Sequence, residues 1–355
     1  MKIILAVLTA LVLFTGCHNS KKGKKGATGD QISLTAAGAT FPLPYYNLLF
    51  QLYKKTTGVE VNYGGIGSGG GIRSLKDKVV DFGASDAFLT DDQLAQMPAK
   101  VVHIPTCMGA VVIAYNVPGA DSLKLSNTLL VKIFMGEITK WNDPQLRKNN
   151  PGLKLPDQAI TVVHRSDGSG TTNMFSDYLT KISPEWKAKV GSGKSLKWPV
   201  GMGAKGNPGV AGTVSQTEGT IGYIGSEYAF AQKIQTALLQ NSSNNYINPS
   251  IASVSAAAQG DIPDDTRIML TNSSNPNAYP ICGFTWLILY QEQNYNGRSQ
   301  QQALATVKLL DWITNSEAQS NAARVHYAPL PAKAVAKAKA ILRTITYKGS
   351  PLLNQ

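Results

Sequence analysis

Residues 31–65 read QISLTAAGATFPLPYYNLLFQLYKKTTGVEVNYGG, and the stretch alternates between two hydrophobic patterns. The segments at its two ends are short and carry small or β-branched residues, which favours strands. Between them, four residues recur at helical spacing and predict one buried helix face: Tyr45, Leu48, Leu49 and Leu52. Gly58 is a typical helix stop. The stretch therefore predicts a strand, a helix and a parallel strand, and a mostly parallel α/β sheet.

The same alternation continues along the chain. Strands are predicted in apolar or small-residue segments: DFGASD (81–86), GAVVIAY (109–115), AITVVHR (159–165) and ICGFTWLILY (281–290). Helices are predicted in segments with helical spacing: GIRSLKDKVV (71–80, with Ile72, Leu75 and Val79), LLVKIFMGEITKW (129–141) and QQALATVKLLDWITNSEAQ (301–319). The alternation of strands with helices indicates an α/β protein.

Length and composition limit the class of protein. The chain has 355 residues, enough for about two domains. Hydrophobic residues make up 43% and charged residues 16%, which excludes a disordered polyelectrolyte and a coiled coil. The formal net charge is +12, but four lysines cluster within residues 18–30 and the other positive charges are scattered. This distribution favours a small anion over nucleic acid as the partner.

The N-terminus reads MKIILAVLTALVLFTGC, in which residues 3–15 are apolar apart from two threonines. This run is too short to span a bilayer and fits the apolar region of a secretory signal. FTGC resembles the lipobox of bacterial lipoproteins, so we predict a signal peptide over residues 1–17 and lipidation of Cys17. Residues 18–31 are then a solvated basic tether. The protein is expected to be exported and held by lipid in the periplasm or at the cell surface.

Four short segments combine small residues with hydroxyl groups or a carboxylate, and each follows a predicted strand: AGATFP (37–42), GIGSGGG (65–71), GASDA (83–87) and HRSDGSGTT (164–172). In an open α/β sheet, ligands bind at the carboxyl ends of the strands, where helix N-termini present unpaired N–H groups. Glycine allows close approach of the backbone, and Ser or Thr adds a donor. The four segments predict a site for a compact anion.

Two charged positions define the anion further. Arg165 offers a planar fork to an oxyanion, and Asp167 can hold that fork in place. Asp86 repels an anion unless the ligand donates a proton, because an ionised carboxylate accepts hydrogen bonds and donates none. Protonated phosphate species carry such a proton at neutral pH, and sulfate does not. A site of this kind rejects an analogue without the hydroxyl by about 10⁴-fold or more.

These segments resemble, in order along residues 33–331, the phosphate-binding proteins of bacterial high-affinity phosphate ABC transporters. The resemblance also includes EITKWNDP (137–144), WPVGMGAKGNPGVAG (198–212), GTIGYI (219–224) and YAPLP (327–331). It implies a monomer that captures inorganic phosphate without catalysis, cofactor or metal, and delivers it to transmembrane permease subunits and their ATPase. The positions that match the family's phosphate ligands are Thr40, Phe41, Ser68, Asp86, Arg165, Ser169, Gly170 and Thr171, and Asp167 matches the aspartate that pairs with the arginine.

The same resemblance implies a two-lobed periplasmic binding protein fold of type II. Each lobe is expected to hold a mixed, mostly parallel sheet flanked by helices, and two strands cross between the lobes, near residues 109–113 and 282–286. Domain I is then predicted as residues 32–110 and 283–355. Domain II is predicted as residues 111–282.

Two cysteines, Cys107 and Cys282, remain when Cys17 is lipidated, in a compartment where disulfides persist. No CxxC or Cys/His cluster accompanies them, so a metal site is unsupported. The residues alone leave a disulfide and two buried thiols equally open. The resemblance favours the disulfide, because it places the two crossing strands side by side.

Other interpretations stay open at this point. GIGSGGG satisfies the G-x-G-x-x-G pattern and Asp86 lies about twenty residues further on, as in a dinucleotide site. Asp86 could instead cap a helix, and Arg165 with Asp167 could be a structural ion pair. The same fold could bind another oxyanion or a phosphorylated organic molecule. An exported phosphatase would need a nucleophile or a metal, and the sequence displays no motif for either.

Overall fold

The computed structural model describes residues 32–353. The predicted signal peptide, the predicted lipidation site Cys17 and the predicted tether lie outside the described residues. Within the described range, each helix is too short or too polar to cross a membrane.

Strands and helices alternate along the described chain as the sequence predicts. The strands are β1 (Ser33–Gly38), β2 (Glu60–Gly65), β3 (Phe82–Ser85), β4 (Val101–Tyr115), β5 (Lys124–Leu125), β6 (Thr161–Arg165), β7 (Met202–Ala204), β8 (Thr220–Gly225), β9 (Gln235–Thr236), β10 (Leu238–Gln240), β11 (Tyr246–Ile247), β12 (Cys282–Tyr290), β13 (Thr346–Tyr347) and β14 (Ser350–Pro351). The helices are α1 (Leu43–Thr57), α2 (Ser68–Lys76), α3 (Asp91–Ala95), α4 (Asn127–Met135), α5 (Pro144–Asn149), α6 (Gly170–Ile182), α7 (Pro184–Lys189), α8 (Gly206–Gln216), α9 (Ser226–Gln232), α10 (Ile251–Ala257), α11 (Gln300–Ile313), α12 (Ser316–Gln319), a 3₁₀ helix (Ala322–Val325) and α13 (Ala332–Arg343).

The main sheet of the described chain has the strand order β2-β1-β3-β12-β4-β8-β6-β7, with β9 paired to β4. β1 runs parallel to β2 and β3, and β6 runs parallel to β7 and β8. β12 and β4 are antiparallel to each other, and each is antiparallel to its outer neighbour. The sheet is therefore mixed, with parallel strands on both sides of a central antiparallel pair.

The long strand β4 joins the two sides of this sheet. Its residues Val101–Ala110 pair with β12, and its residues Val111–Tyr115 pair with β8. The change of partner falls inside the predicted crossing at residues 109–113. Below, β1, β2, β3 and β12 are called the first sheet half, and β6, β7 and β8 the second sheet half.

The predicted unit over residues 31–65 forms as β1, α1 and β2, with Ser33 opposite Glu60 in parallel register. The buried face of α1 differs from the prediction, because Leu48 and Leu52 are half-buried. The buried side chains are Tyr45, Tyr46, Leu49, Phe50 and Tyr53. Aromatic rings bury more area than leucine, so the aromatic stripe decides which face of the helix packs.

The predicted helical spacing beyond Leu75 does not hold. α2 ends at Lys76, and Lys78 adopts a left-handed φ of 57°. Val79 is consequently 66% exposed instead of lying on a buried helix face.

One segment of predicted domain II lies against the first sheet half. The Thr266 hydroxyl donates to the His103 carbonyl at 3.2 Å, and the Trp286 indole N–H donates to the Thr266 carbonyl at 3.2 Å. Arg267 forms an ion pair of 2.8 Å with Asp91 in α3. These contacts tie the chain around Thr266 to residues of predicted domain I.

The predicted disulfide is wrong, because Cys107 and Cys282 are both buried free thiols. In the β4–β12 ladder, Cys282 lies opposite Ala110 and Cys107 lies opposite Thr285. This offset of three residues separates the cysteines by about 10 Å along the strands and points their side chains to opposite faces. A disulfide needs Cα atoms within about 7 Å of each other.

Candidate anion-binding site

The four predicted loops meet at one place between the two sheet halves. The Gly170 N–H donates to Ser68 Oγ at 3.1 Å, and the Asp86 N–H donates to the same oxygen at 3.2 Å. The Asn207 N–H donates to Thr40 Oγ1 at 3.0 Å. Loops that are far apart in sequence therefore form one buried cluster of hydroxyl, amide and charged groups.

Thr40 and Phe41 lie in the turn between β1 and α1, and both are buried. Phe41 packs its ring over Gly109 of β4, where a Cβ would lie 2.5 Å from the ring carbon Cζ. Glycine at this position of β4 is what lets the ring lie against the strand. Within residues 32–353, the Phe41 N–H donates to no acceptor. It is available to a ligand.

Ser68 is the first residue of α2 and is fully buried. It follows Gly67, whose φ is 84° and whose added Cβ would overlap Asp167 Oδ2. Both the backbone conformation and the close approach require glycine at residue 67. The glycine-rich turn thus brings a helix N-terminus and its hydroxyl against the loop that follows β6.

Asp86 follows β3 and is 1% exposed. Its Oδ1 accepts a hydrogen bond of 2.7 Å from the Thr285 hydroxyl, and its Oδ2 lies 3.5 Å from Ser68 Oγ. Burial raises the pKa of Asp86 to about 7, against the hydrogen bond from Thr285 and the charge of Arg165, which lower it. This carboxyl does not cap the helix that follows it, because the N-cap of α3 is Thr90. The helix-cap interpretation of Asp86 is therefore excluded.

Arg165 ends β6, and its side chain is 1% exposed. Its Nε and Nη2 donate to the two carboxylate oxygens of Asp167 at 2.7 and 2.5 Å. Its Nη1 makes one long contact within the described chain, 3.4 Å to Thr171 Oγ1. Burial raises the pKa of Asp167, but the hydrogen bonds and charge of Arg165 outweigh it, so the pKa is lowered. An ionised carboxylate holds the guanidinium while Nη1 keeps donor capacity.

Ser169, Gly170 and Thr171 form the start of α6. The Ser169 hydroxyl accepts from the Thr172 N–H at 3.0 Å, which makes it the N-cap. At Gly170, an added Cβ would lie 2.6 Å from both Ser68 Oγ and Asp86 Cβ. The N-terminus of α6, with its partial positive charge, therefore directly faces the loops of the first sheet half.

Three residues that sequence reasoning missed complete the cluster. The Asn207 amide nitrogen donates to the hydroxyl oxygens of Thr40 and Thr171, both at 3.1 Å. The Tyr228 hydroxyl donates to the Thr40 carbonyl, and Thr285 donates to Asp86. The polar Thr285 inside the apolar segment CGFTWLILY was a readable signal, and so was the Gly-Asn pair that opens α8.

The cluster can hold a small oxyanion by donors from two sides, with one carboxyl group able to accept a proton from the ligand. Within the described part of the chain, no group of three or more His, Cys, Asp or Glu side chains could hold a metal ion. Arg165 supplies the positive charge beside Asp86. The arrangement is therefore one for binding an anion by hydrogen bonds and a single guanidinium.

The chain is similar to known proteins in sequence and in fold. A family model described as the PBP superfamily domain matches residues 24–318. The chain is 40% identical over 317 residues to the phosphate-binding protein PstS of Pasteurella multocida, which covers 88% of this chain and 90% of that relative. It is 42% identical over 319 residues to the PstS of Haemophilus influenzae, covering 88% and 93%.

Solved structures share the fold at lower sequence identity. The periplasmic phosphate-binding protein PfluDING, bound with phosphate, matches with a TM-score of 0.68 at 22% identity, covering 87% of this chain and 93% of that one. The protein is thus a member of the PBP superfamily. Within it, the chain belongs to the PstS family of phosphate-binding proteins. The predicted family and the predicted α/β periplasmic binding protein fold are confirmed.

Proposed function

We propose that this protein binds inorganic phosphate in the cluster between the two sheet halves and serves as the substrate-binding protein of a phosphate ABC transporter. The observation that carries the proposal is the buried carboxyl of Asp86 beside the incompletely used guanidinium of Arg165. A ligand that is both an anion and a proton donor fits this pair. The names of the curated relatives support the same ligand.

Each predicted ligand residue has a role in this proposal. Arg165 donates from Nη1, and Asp167 holds its guanidinium in plane. Asp86 accepts the ligand hydroxyl. The remaining donors are backbone N–H groups and hydroxyls near the starts of α1, α2 and α6, which place partial positive charge around the anion: Thr40, Phe41, Ser68, Ser169 and Thr171. Gly170 lies at the same place, but its N–H donates to Ser68 Oγ at 3.1 Å, so it serves phosphate only by exchanging that bond for one to the ligand.

The same contacts explain why the two sheet halves would close around the ligand. Donors from both sheet halves contact one small ligand, so phosphate binds best when the halves are together and shifts the population toward that state. We propose residues 32–110 and 283–355 as one lobe and residues 111–282 as the other. The chain around Thr266 is the exception within the second lobe, because it contacts the first sheet half.

The proposal extends to the cellular setting. Export and lipidation at Cys17 would hold the protein in the periplasm or at the cell surface, with residues 18–31 as the tether. There it would act as a monomer that releases phosphate to transmembrane permease subunits driven by an ATPase. No catalysis, cofactor or metal is part of this proposal. Mass spectrometry of the mature chain would reveal the acylated Cys17.

Isothermal titration calorimetry of the protein, stripped of endogenous ligand, tests the binding function. We expect one phosphate per chain and far weaker binding of sulfate. The Asp86→Asn variant should bind sulfate relatively better, because an amide can donate to an anion that has no proton. Asp81→Asn is the matched control, since Asp81 is also buried but lies outside the cluster. Equal affinity of the natural protein for sulfate and phosphate would contradict the proposal.

The pH gives a second test of Asp86. Its pKa of about 7 means that the carboxyl becomes protonated as the pH falls below neutrality. The protonated carboxyl donates a hydrogen bond, so sulfate binding should rise as the pH falls from 8 to 6. In Asp86→Asn, this rise should be absent. If the ratio of phosphate affinity to sulfate affinity in the natural protein stays constant over this range, Asp86 is not the group that distinguishes the two anions by their protons.

A further inference from the structure

Tyr228 lies in the first turn of α9, directly after β8 of the second sheet half. It is buried, and its hydroxyl donates to the carbonyl oxygen of Thr40 at 2.5 Å. Thr40 lies in the turn after β1 of the first sheet half. The hydrogen bond therefore connects the two halves, and it lies beside the cluster that we propose binds phosphate.

The carbonyl of Thr40 and the N–H of Phe41 belong to the same planar peptide group. A hydrogen bond donated to the carbonyl oxygen polarises the peptide and makes its N–H a stronger donor. The Phe41 N–H donates to no acceptor within residues 32–353, and it is one of the proposed phosphate donors. The Tyr228 hydroxyl thus acts on a group that faces the ligand.

Asn207 of α8, a helix that packs on the second sheet half, holds the Thr40 side chain by two further hydrogen bonds. Thr40 Oγ1 accepts from the backbone N–H of Asn207 at 3.0 Å and from the Asn207 side-chain amide at 3.1 Å. The next carbonyl, on Phe41, accepts at 2.5 Å from the hydroxyl of Tyr327, a residue that lies before α13. Both carbonyls that flank the Phe41 residue therefore have a tyrosine donor, and the Tyr228 donor comes from the opposite half.

We propose that Tyr228 is a positioning residue for phosphate: its hydroxyl, carried by the second sheet half, orients and polarises the peptide whose N–H on Phe41 binds the ligand. The inference rests on the proposed phosphate-binding function. Its consequence is that this donor reaches full strength when the two halves meet. Closure then strengthens phosphate binding in two ways. The second half contacts the ligand directly, and its Tyr228 also strengthens the Phe41 N–H of the first half as a donor.

The test is the substitution Tyr228→Phe, which removes one oxygen and keeps the ring. Loss of this hydrogen bond leaves the buried Thr40 carbonyl with only the longer bond of 3.3 Å from the Leu43 N–H, and we expect phosphate affinity to fall about 10-fold. Tyr279→Phe is the matched control, because Tyr279 is buried and its hydroxyl has no partner within the described chain. That variant should bind phosphate like the natural protein.

An amide signal separates positioning from a general loss of structure. In protein labelled with ¹⁵N-phenylalanine, the Phe41 amide proton, assigned through Phe41→Leu, should lie further downfield in the natural complex than in the Tyr228→Phe complex with saturating phosphate. The Tyr279→Phe complex should match the natural one. An unshifted Phe41 amide, or unchanged affinity in Tyr228→Phe, would overturn the role of Tyr228. Absence of phosphate binding by the natural protein would instead refute the proposed function.

Discussion

Two buried ion pairs in this molecule have the same chemistry and different surroundings. Arg165 and Asp167 lie in the cluster that we propose binds phosphate. Arg298 and Asp81 lie beside the first sheet half, just before α11 and β3. The Arg298 side chain is 4% exposed and the Arg165 side chain 1%, so burial does not distinguish the two arginines. The difference lies in how each guanidinium uses its donors.

Arg298 has partners within its own half for both terminal nitrogens. Nη1 donates to the Asp81 carbonyl at 3.2 Å and to the Tyr295 hydroxyl at 2.9 Å, and Nη2 contacts Asp81 Oδ1 at 3.0 Å and the Thr306 hydroxyl. Arg165 Nη1 has only the contact of 3.4 Å to Thr171 within the described chain. Arg298 is not fully satisfied either, because its buried Nε has no partner within the described residues. The two arginines differ in which donor is left over: a terminal nitrogen beside Asp86 and Thr171 in Arg165, and the inner Nε in Arg298. An underused terminal nitrogen within a cluster of polar groups indicates a binding site.

The largest expected effect is on the stability of the fold, and it should appear on substitution of Arg298. Arg298→Ala leaves Asp81 buried without its cation and should lower the free energy of unfolding by about 3–5 kcal/mol. Urea denaturation of the ligand-free protein measures this, and phosphate affinity of the folded fraction should stay unchanged. A large loss of phosphate affinity in folded Arg298→Ala would show that Arg298 also contributes to binding, which contradicts its purely structural role.

The second effect is on binding. Arg165→Ala removes a charged donor from the anion and should weaken phosphate binding by about 2–4 kcal/mol, measured by calorimetry. Its effect on unfolding should be smaller than that of Arg298→Ala, because Asp167 is 13% exposed and keeps the Gly206 N–H at 3.0 Å. If Arg165→Ala binds phosphate normally, the underused nitrogen is not a ligand group.

The smallest effect compares the two buried aspartates in the ligand-free protein. Asp86→Asn should raise the free energy of unfolding at pH 8 by on the order of 1 kcal/mol, since it removes a charge whose burial is unfavourable. Asp81→Asn should lower it, because Asp81 accepts from the Thr35 N–H at 2.7 Å and from Gln302 at 2.9 Å.

The pH dependence gives the sign of the Asp86 effect. Its folded pKa is about 7 and its ordinary value 3.8, so between these values the folded protein binds the extra proton and loses stability as the pH rises. The gain from Asp86→Asn should therefore be present at pH 8 and vanish near pH 4. A gain that is equal at both values would point to packing instead of charge.

Much of the cluster was readable because parallel strands bring their carboxyl ends to one edge of a sheet. That rule groups Thr40, Ser68 and Asp86, which follow the parallel strands β1, β2 and β3. It does not place Arg165, because β6 runs antiparallel to these strands and meets them across the central pair β12 and β4. The groups that were missed contact the cluster across long sequence separations: Asn207 reaches Thr40 over 167 residues, and Thr285 reaches Asp86 over 199. Local pattern carries no information about such pairings.

Register is the other quantity that sequence reasoning lacked. The pairing of β4 with β12 was predicted and found, but the disulfide depended on which residues lie opposite each other. Since side chains alternate between faces, an offset of three residues moves Cys282 away from Cys107 and onto the other face. The aromatic face of α1 was missed for a different reason, because spacing gives periodicity and not the relative size of the side chains.

Gly170 has no side chain, and the lack of space around it limits which residues this position can accept during evolution. A methyl group there would wedge the start of α6 away from Ser68 and Asp86, each of which has an atom 2.6 Å from where that methyl carbon would lie. Gly212, in contrast, has open space around it and can drift to alanine freely. Among descendants that retain phosphate uptake, we therefore expect residue 170 to be invariant while residue 212 varies.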